Sequence, residues 1–457
     1  MYWDYQKFAE NPSPETMVAV IEWHKSTAKY RYAETATAYD RHRNVEILRY
    51  RRMVYDLMGH KAEDPTAPNN KICCGFFPQF ITQENQYVLG NGVFLPDNVK
   101  ARLGDRFDTD LQRCGRFALV QGETYGFWSG DRLCPFPIYG ENGQPAFVPL
   151  LDENTSEPRA GILFWQIDTD EPLNFILYEE DGFTQYRRSN GEFTVVQEKQ
   201  PYKDIVATSE ALGSTVVGGK NYNSLPIKRL RANEYGQSEL ECVKSLIDSY
   251  DRTLSGLAND IDETAFIYWL LNGAEGMSNA ELTRFREIVK LTGVAQVGEG
   301  QSAQMETKDV PYQARAEQLN RLKDNIYEAF GAVDTKALSG SNMVTAQIRA
   351  AYAALDAKAD GYEYQLIEFV QDILGLLDIQ ETPQFKRSGI KNDLEQAQLV
   401  MLIRDELDDE TTLEMLPGIQ PEEIPDILRK REEQSQGRYT AMEPEQPQTE
   451  QEQDITE

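Results

Sequence analysis

At 457 residues and 52.1 kDa, with 40% hydrophobic residues, the chain is long and apolar enough for two or three cored units, which excludes a disordered polymer. Its 46 Lys and Arg against 75 Asp and Glu give a net charge of -29, which excludes wrapping of nucleic acid by wholesale phosphate neutralisation and leaves only local DNA contact. The longest apolar run, residues 265–271, is far short of the roughly 18 residues of a membrane helix, and MYWDYQKFAENPSPE has no signal-peptide pattern, so a soluble protein made in a cytoplasm, with no membrane partner, is expected.

The N-terminal region carries helical signals at 17–30, which is amphipathic, and at 45–57, within an Arg- and Tyr-rich stretch. KAEDPTAPNN then marks a break. From Lys71, KICCGFFPQFITQENQYVLGNGV reads as a helix or an extended passage into a Gly-Asn-Gly turn, and residues 107–136 change from helical to strand-like composition. Five alternating runs, AFVPLL, GILFWQI, NFILYEE, FTQYRR and EFTVVQE, predict an antiparallel sheet over 145–206, with hairpin turns at Asp181-Gly182 and Asn190-Gly191.

The basic stretch LPIKRLR leads into Ser238 and Glu241, which have capping-box spacing and open a predicted helix over 236–264, about 40 Å long. Leu240, Val243, Ile247, Tyr250, Leu254, Leu257 and Ile261 step by three and four along it and form one narrow apolar face that wants another helix. Residues 265–311 read as a compact insertion, with a short helix near 279–291 and a strand pair around 294–310. A helix over 313–331 follows, with Leu319, Leu322, Ile326 and Phe330 on one face. DTKALSGSNMVT is a loop or broken helix, 346–377 is strongly helical, and 393–406 and 421–433 give two further helices. The acidic, Pro- and Gln-rich residues 434–457 should be disordered.

Catalytic and cofactor signals are weak. GSTVVGGK resembles a phosphate loop but has an extra glycine and Asn221 where Ser or Thr should bind magnesium, so a flexible loop is expected. Asp168-Thr169-Asp170 opens like a calcium loop, but Leu173 takes the glycine position, so it reads as a turn. Cys73, Cys74, Cys114, Cys134 and Cys242 include no C-x-x-C pair and read as buried free thiols, not as a disulfide framework or zinc site. His24, His42 and His60 offer little for acid/base or metal chemistry. No enzyme, metal or cofactor is indicated.

Three segments taken in order, PIKR…NEYGQSEL, SLIDSYDRTLSGLANDIDETA and LNRLKDNIYEAF, resemble the portal proteins of tailed bacteriophages, the head-to-tail connectors through which DNA enters and leaves the capsid. The resemblance implies an α+β, mainly α fold with wing, stem, clip and crown regions, assembled as a dodecameric ring around a central channel. It assigns residues 1–235 to the N-terminal region and wing, 236–264 and 312–331 to two stem helices, and 265–311 to the clip. It assigns 332–345 to a tunnel loop, 346–378 to a long wing helix and 379–433 to the crown. Lys336, Ser339, Ser341, Asn342 and Met343 are then candidates to face DNA in the channel, with Lys308 and Lys323 as possible further lining. The implied partners are double-stranded DNA, the terminase, head-completion or tail-adaptor proteins, and the major capsid and scaffolding proteins. The implied place is the virion, after synthesis in the host bacterial cytoplasm. The alternative is a coiled-coil scaffold or adaptor of a phage particle, which explains the apolar seam but not the order helix, insertion, helix, loop, long helix.

Overall fold

The computed structural model describes residues 3–55, 60–63, 67–209, 213–264, 268–272, 278, 281, 284, 288, 302–306, 312–336, 345–389, 400–402, 408–416 and 424–431. The chain divides into two compact units, Met1–Asp334 with Ala353–Ser388, and Thr335–Tyr352 with Gly389–Glu457.

The first unit begins with helices α1 (Tyr5–Ala9), α2 (Pro14–Ser26), α3 (Ala28–Asp40) and α4 (Val45–Arg49). Ser13 caps α2 ahead of Pro14, and Thr27 both ends α2 and caps α3 by accepting the Tyr30 N–H, so the expected 17–30 helix is broken at Thr27. The expected 45–57 helix also stops early. Tyr50 turns extended, and Met53–Tyr55 (β1) pairs antiparallel with Lys61–Glu63 (β2), because cross-strand bonding takes over where the helical ladder has run out. Next come α5 (Phe76–Leu89), β3 (Val93–Phe94), α6 (Asp97–Leu103) and α7 (Phe107–Gln121).

A three-stranded sheet contains β4 (Glu123–Trp128) and β5 (Leu133–Pro137), and is completed from later in the chain by β13 (Ile227–Arg231) in the order β13-β4-β5. Between them runs a five-stranded antiparallel meander: β6 (Ala146–Leu151), β7 (Pro158–Trp165), β8 (Leu173–Glu179), β9 (Gly182–Ser189) and β10 (Glu192–Gln200). Asn190 and Gly191 both have positive φ and make a two-residue hairpin turn. Strand alternation divides the side chains cleanly. Val148, Ile162, Phe164, Phe175 and Leu177 point to one face with Phe8, Met17, Val20 and Ile21 of α1 and α2, while Phe147, Leu163 and Tyr178 point to the other with Tyr125, Phe136 and Ile227. The sheet is therefore buried on both faces over β6, β7 and β8, while the edge strand β10 is exposed along nearly all its length. Gly161 is required here, because a Cβ would stand 2.1 Å from the Phe147 ring.

Residues 203–209 (β11) and 213–220 (β12) form a hairpin, so GSTVVGGK is a strand and neither a phosphate loop nor the flexible loop expected. The long helices follow: α8 (Lys244–Thr264), α9 (Tyr312–Phe330) and α10 (Thr345–Leu376), whose first two turns belong to the second unit. Between α8 and α9, β14 (Tyr268–Asn272) pairs with β15 (Ser302–Glu306), so the described end of the apolar run is itself one partner of the insertion's strand pair. β16 (Gln384–Phe385) returns to pair with β3. In the second unit, Asp408 caps α11 (Asp409–Met415), and Arg431 pairs with Asp409 at 3.3 Å. No helix among the described residues is long and apolar enough to cross a membrane.

Candidate functional site

The regular part of α8 begins at Lys244, eight residues after the expected start, and is about 30 Å long at 1.5 Å per residue. The reason is local. The Ser238 hydroxyl donates to the Val120 carbonyl at 2.6 Å and accepts from the Leu240 N–H, while Glu239 N–H reaches the Leu119 carbonyl, so residues 239–243 make turns anchored on the end of α7. A reciprocal capping box does occur, forty residues on. Glu281 accepts from the backbone and hydroxyl of Ser278, at 2.8 and 2.9 Å, and those bonds hold its carboxyl below the usual range.

The predicted seam holds at its base, where Leu240, Val243 and Ile247 are buried. From there outward, Tyr250, Leu254 and Leu257 are only half-buried, and Ile261 is 48% exposed. The buried line moves instead to a polar stripe one residue on: Asp251, Ser255 and Asn259, 0, 2 and 8% exposed. These three accept the backbone N–H groups of Cys74, Ile72 and Asn70 at 2.9, 3.0 and 2.6 Å, and Asp251 also accepts from the Asn44 amide. The match is geometric. Four helical residues advance about 6 Å and two extended residues about 6.6 Å, so residues 70–74 lie along α8 as a strap with every second N–H satisfied. Burial pushes the Asp251 carboxyl up, against the bonds from Cys74 and Asn44.

On a different face of α8, Asp260 pairs with Arg315 of α9, and the Phe76 ring meets Tyr250 and Tyr327 edge-on at 5.1 and 6.0 Å. The predicted apolar face of α9 is graded like that of α8: Ile326 and Phe330 are buried and Leu319 and Leu322 half-buried. Lys323 donates to Asp334 at 2.8 Å and lies 5.3 Å from the Tyr327 ring, and the Asp334 bond raises its pKa. It ties the end of α9 to the start of the following loop. Lys336 is in an exposed turn. Ser339, Ser341, Asn342, Met343 and Lys308 lie outside the described residues.

Sequence reasoning missed a second junction. Lys358 of α10 stands 2.9 Å from Glu84 of α5 and 2.6 Å from Glu239, the residue that leads into α8, with its ammonium 3.4 Å from the Phe330 ring centre. Burial raises the Glu84 pKa and outweighs the pull of Lys358, since two carboxylates share one ammonium; burial opposes the charge of Lys358, but the two carboxylates raise its pKa. One residue thus joins α5, α9, α10 and the lead-in to α8. On either side of Lys358 in α10, Asp356 and Glu363 are held by Arg387, each at 3.1 Å, and Arg387 also bonds Asp360.

In the basic strand β13, Arg229 is engaged by a buried carboxylate. Arg229 donates to Glu123 at 2.6 Å beside Lys29 at 2.7 Å and the Tyr125 hydroxyl at 3.0 Å. Burial works against the Glu123 charge, but Lys29 and Arg229 leave its pKa lowered. His24 is buried in the sheet core, donates from Nε2 to the Ile138 carbonyl at 3.2 Å, and has its pKa lowered to about 4 by burial. Cys114 is buried, Cys73, Cys74 and Cys134 are half-buried, and Cys242 is exposed. Only Cys114 meets the expectation of burial, and Cys242 departs furthest from it, because it lies in the turn ahead of α8. Asp168-Thr169-Asp170 is a turn in which Asp168 accepts its neighbour's N–H. Among the described residues no group of His, Cys, Asp and Glu is arranged around a metal site.

A family profile described as phage portal protein, SPP1 Gp6-like, matches residues 21–437. The portal protein of Bacillus phage SPP1 is 25% identical over 338 residues, 70% of this chain and 64% of that protein. The portal protein of Clostridium phage phiCD119 is 28% identical over 188 residues, 39% of this chain and 42% of that protein. The chain thus spans less than two thirds of the length of either relative.

Proposed function

The chain belongs to the SPP1 Gp6-like family of phage portal proteins, and on that premise we propose that it forms the ring at the unique capsid vertex through which double-stranded DNA is packaged and ejected. The observation that carries this reading is the family match across 21–437, together with the order α8, strand-paired insertion, α9, loop and long α10. In this reading 1–235 is the N-terminal region and wing, α8 and α9 are the core of the stem, 265–311 is the clip, 332–345 the tunnel loop, 346–378 the long wing helix and 379–433 the crown. About twelve copies close head to tail around a channel. The half-covered outer seam, Tyr250, Leu254, Leu257 and Ile261, supports assembly, because apolar surface left open in one copy is buried by packing on the next.

The acidity of the chain suits a conduit, since a negative wall repels the duplex and lets it slide, whereas a basic wall holds it by counterion release. Lys336, Ser339, Ser341, Asn342 and Met343 face the channel as the loop that meets the phosphates, with Lys308 and Lys323 as weaker lining. The clip docks the terminase during packaging and head-completion or tail-adaptor proteins afterwards, and capsid and scaffolding proteins surround the wing. The role is structural and non-enzymatic, in a virion component made in the host cytoplasm.

The loop assignment is tested by replacing Lys336, Asn342 and Met343 together with alanine in phage particles. Reduced DNA packaging in normally assembled heads is expected; a normal packaging yield removes these residues from the channel.

A further inference from the structure

In a chain of net charge -29, residues 41–53 carry five arginines against one carboxylate, Glu46. Arg41 and Arg43 are both held by Glu141. The remainder of the stretch, Leu48-Arg49-Tyr50-Arg51-Arg52-Met53, alternates apolar and basic side chains at the end of α4 and the start of β1. Leu48, Tyr50 and Met53 are 38, 40 and 48% exposed, and Ile72 of the strap is 36% exposed. They form one surface. Lys71 Nζ donates to the Leu48 carbonyl at 2.8 Å, Arg51 donates to the carbonyls of Leu48 and Tyr50 at 3.2 Å, and Arg51 pairs across to Glu63 of β2 at 3.3 Å. Leu48 and Arg49 also border a cleft of about 410 Å³ with Val45, Ala38 and Tyr139. Arginine, tyrosine and methionine among exposed aliphatic groups are the composition of a protein interface; a surface for duplex phosphates needs the cations but not Leu48, Met53 and Ile72.

We propose that this patch is one half of the contact between neighbouring copies of the chain, and that the outer face of α9 is the other half. The proposal rests on the ring reading above. A ring closed head to tail needs two different, complementary surfaces on each copy, and copies this acidic repel one another unless attraction is supplied locally. The strap beside the patch lies along Asp251, Ser255 and Asn259 of α8, while α9 reaches α8 through Arg315 at Asp260 and beside Gly256, on a face about 100° round the helix. The side of α9 turned away from its buried Ile326 and Phe330 exposes Glu317, Asp324 and Glu328 against a single cation, Arg321, itself paired with Glu317. A basic, apolar surface and an acidic one thus flank the same helix, as a repeating contact requires.

The test is a charge swap read by the mass of the purified full-length protein in solution, with far-UV circular dichroism as the check on folding. Arg49→Glu with Arg51→Glu, and separately Glu317→Arg with Glu328→Arg, are each expected to lose the ring species while keeping wild-type secondary structure. The two variant proteins mixed, or the four changes in one chain, are expected to restore it. Rings that persist in either double variant, or a swap that fails to restore them, overturn the proposal while leaving the ring reading in place. A wild-type protein that forms no ring refutes the ring reading itself. A patch variant that assembles normally but loses binding to a duplex oligonucleotide assigns the patch to DNA and overturns the proposal.

Discussion

The five-stranded sheet and the α8–α9 pair are stabilised in opposite ways. Over β6, β7 and β8 the sheet is covered on both faces by its own chain, with α1 and α2 on one side and the β13-β4-β5 sheet on the other, and Phe147 and Phe175 at 0% exposure. The helix pair is sealed only at its base. Outward from Ile247 its apolar seam is half open, and the side chains that are buried there are Asp251, Ser255 and Asn259, holding backbone N–H groups. The core of the sheet region is completed within a single copy, whereas the helix pair is positioned by hydrogen bonds and keeps a half-open apolar surface, which the proposed ring would cover.

The largest expected effect is in the sheet. Phe175→Ala removes a fully buried ring stacked on Tyr186 and should cost about 3–5 kcal/mol in denaturant unfolding. Leu257→Ala should cost under about 1 kcal/mol in a dissociated copy yet weaken assembly, and equal costs at the two sites would break the contrast.

Asp251→Ala leaves the Cys74 N–H and the Asn44 amide without their acceptor in a buried place, a cost of about 2 kcal/mol. Hydrogen exchange should show the amides of Asn70, Ile72 and Cys74 losing protection together. Loss confined to Cys74 would mean that the strap is held residue by residue, not as a ladder.

Acid should weaken the sheet core through His24. Its folded pKa of about 4 lies below the unfolded value of 6.5, so the unfolded chain binds the proton first; stability is complete above pH 6.5 and falls as pH drops toward 4, by about 3 kcal/mol in total. His24→Gln should flatten that slope in urea titrations at pH 7 and 5. Glu84 acts in the opposite sense: its pKa, raised from 4.5 to about 7, gives stability that is complete below the ordinary carboxylate range and is lost as pH rises through the folded value, so Glu84→Gln should flatten the fall between those two values.

A small, local effect belongs to the hairpin. Asn190→Ala places a residue without a local hydrogen-bonding side chain at φ 50°, and about 1 kcal/mol is expected.

The regions also differ in how far the chain alone reveals them. Alternation and the Asn190-Gly191 dipeptide locate the sheet, because strand period and turn chemistry are local properties. The base of the seam is legible for the same reason, as Leu240, Val243 and Ile247 follow helical spacing. Capping is less certain, because S-x-x-E occurs at both 238 and 278, and at the first position a distant carbonyl, that of Val120, takes the Ser238 hydroxyl. The strap joins residues 177 to 189 apart, and Lys358 lies 119 residues from Glu239 and 274 from Glu84, and no local period marks these contacts. The sequence does hold a trace of the strap, in that Asp251, Ser255 and Asn259 repeat at four residues beside the seam; a polar stripe at that spacing reads equally as a solvated face.

The central claim is that the helix pair is completed by other copies of the chain. Negative-stain electron microscopy of the purified protein, with mass measured on the same sample, tests it most directly. The account predicts rings of about twelve subunits with a central hole of roughly 20 Å or more, wide enough for a duplex. A monomer or small elongated oligomer at high concentration would contradict it.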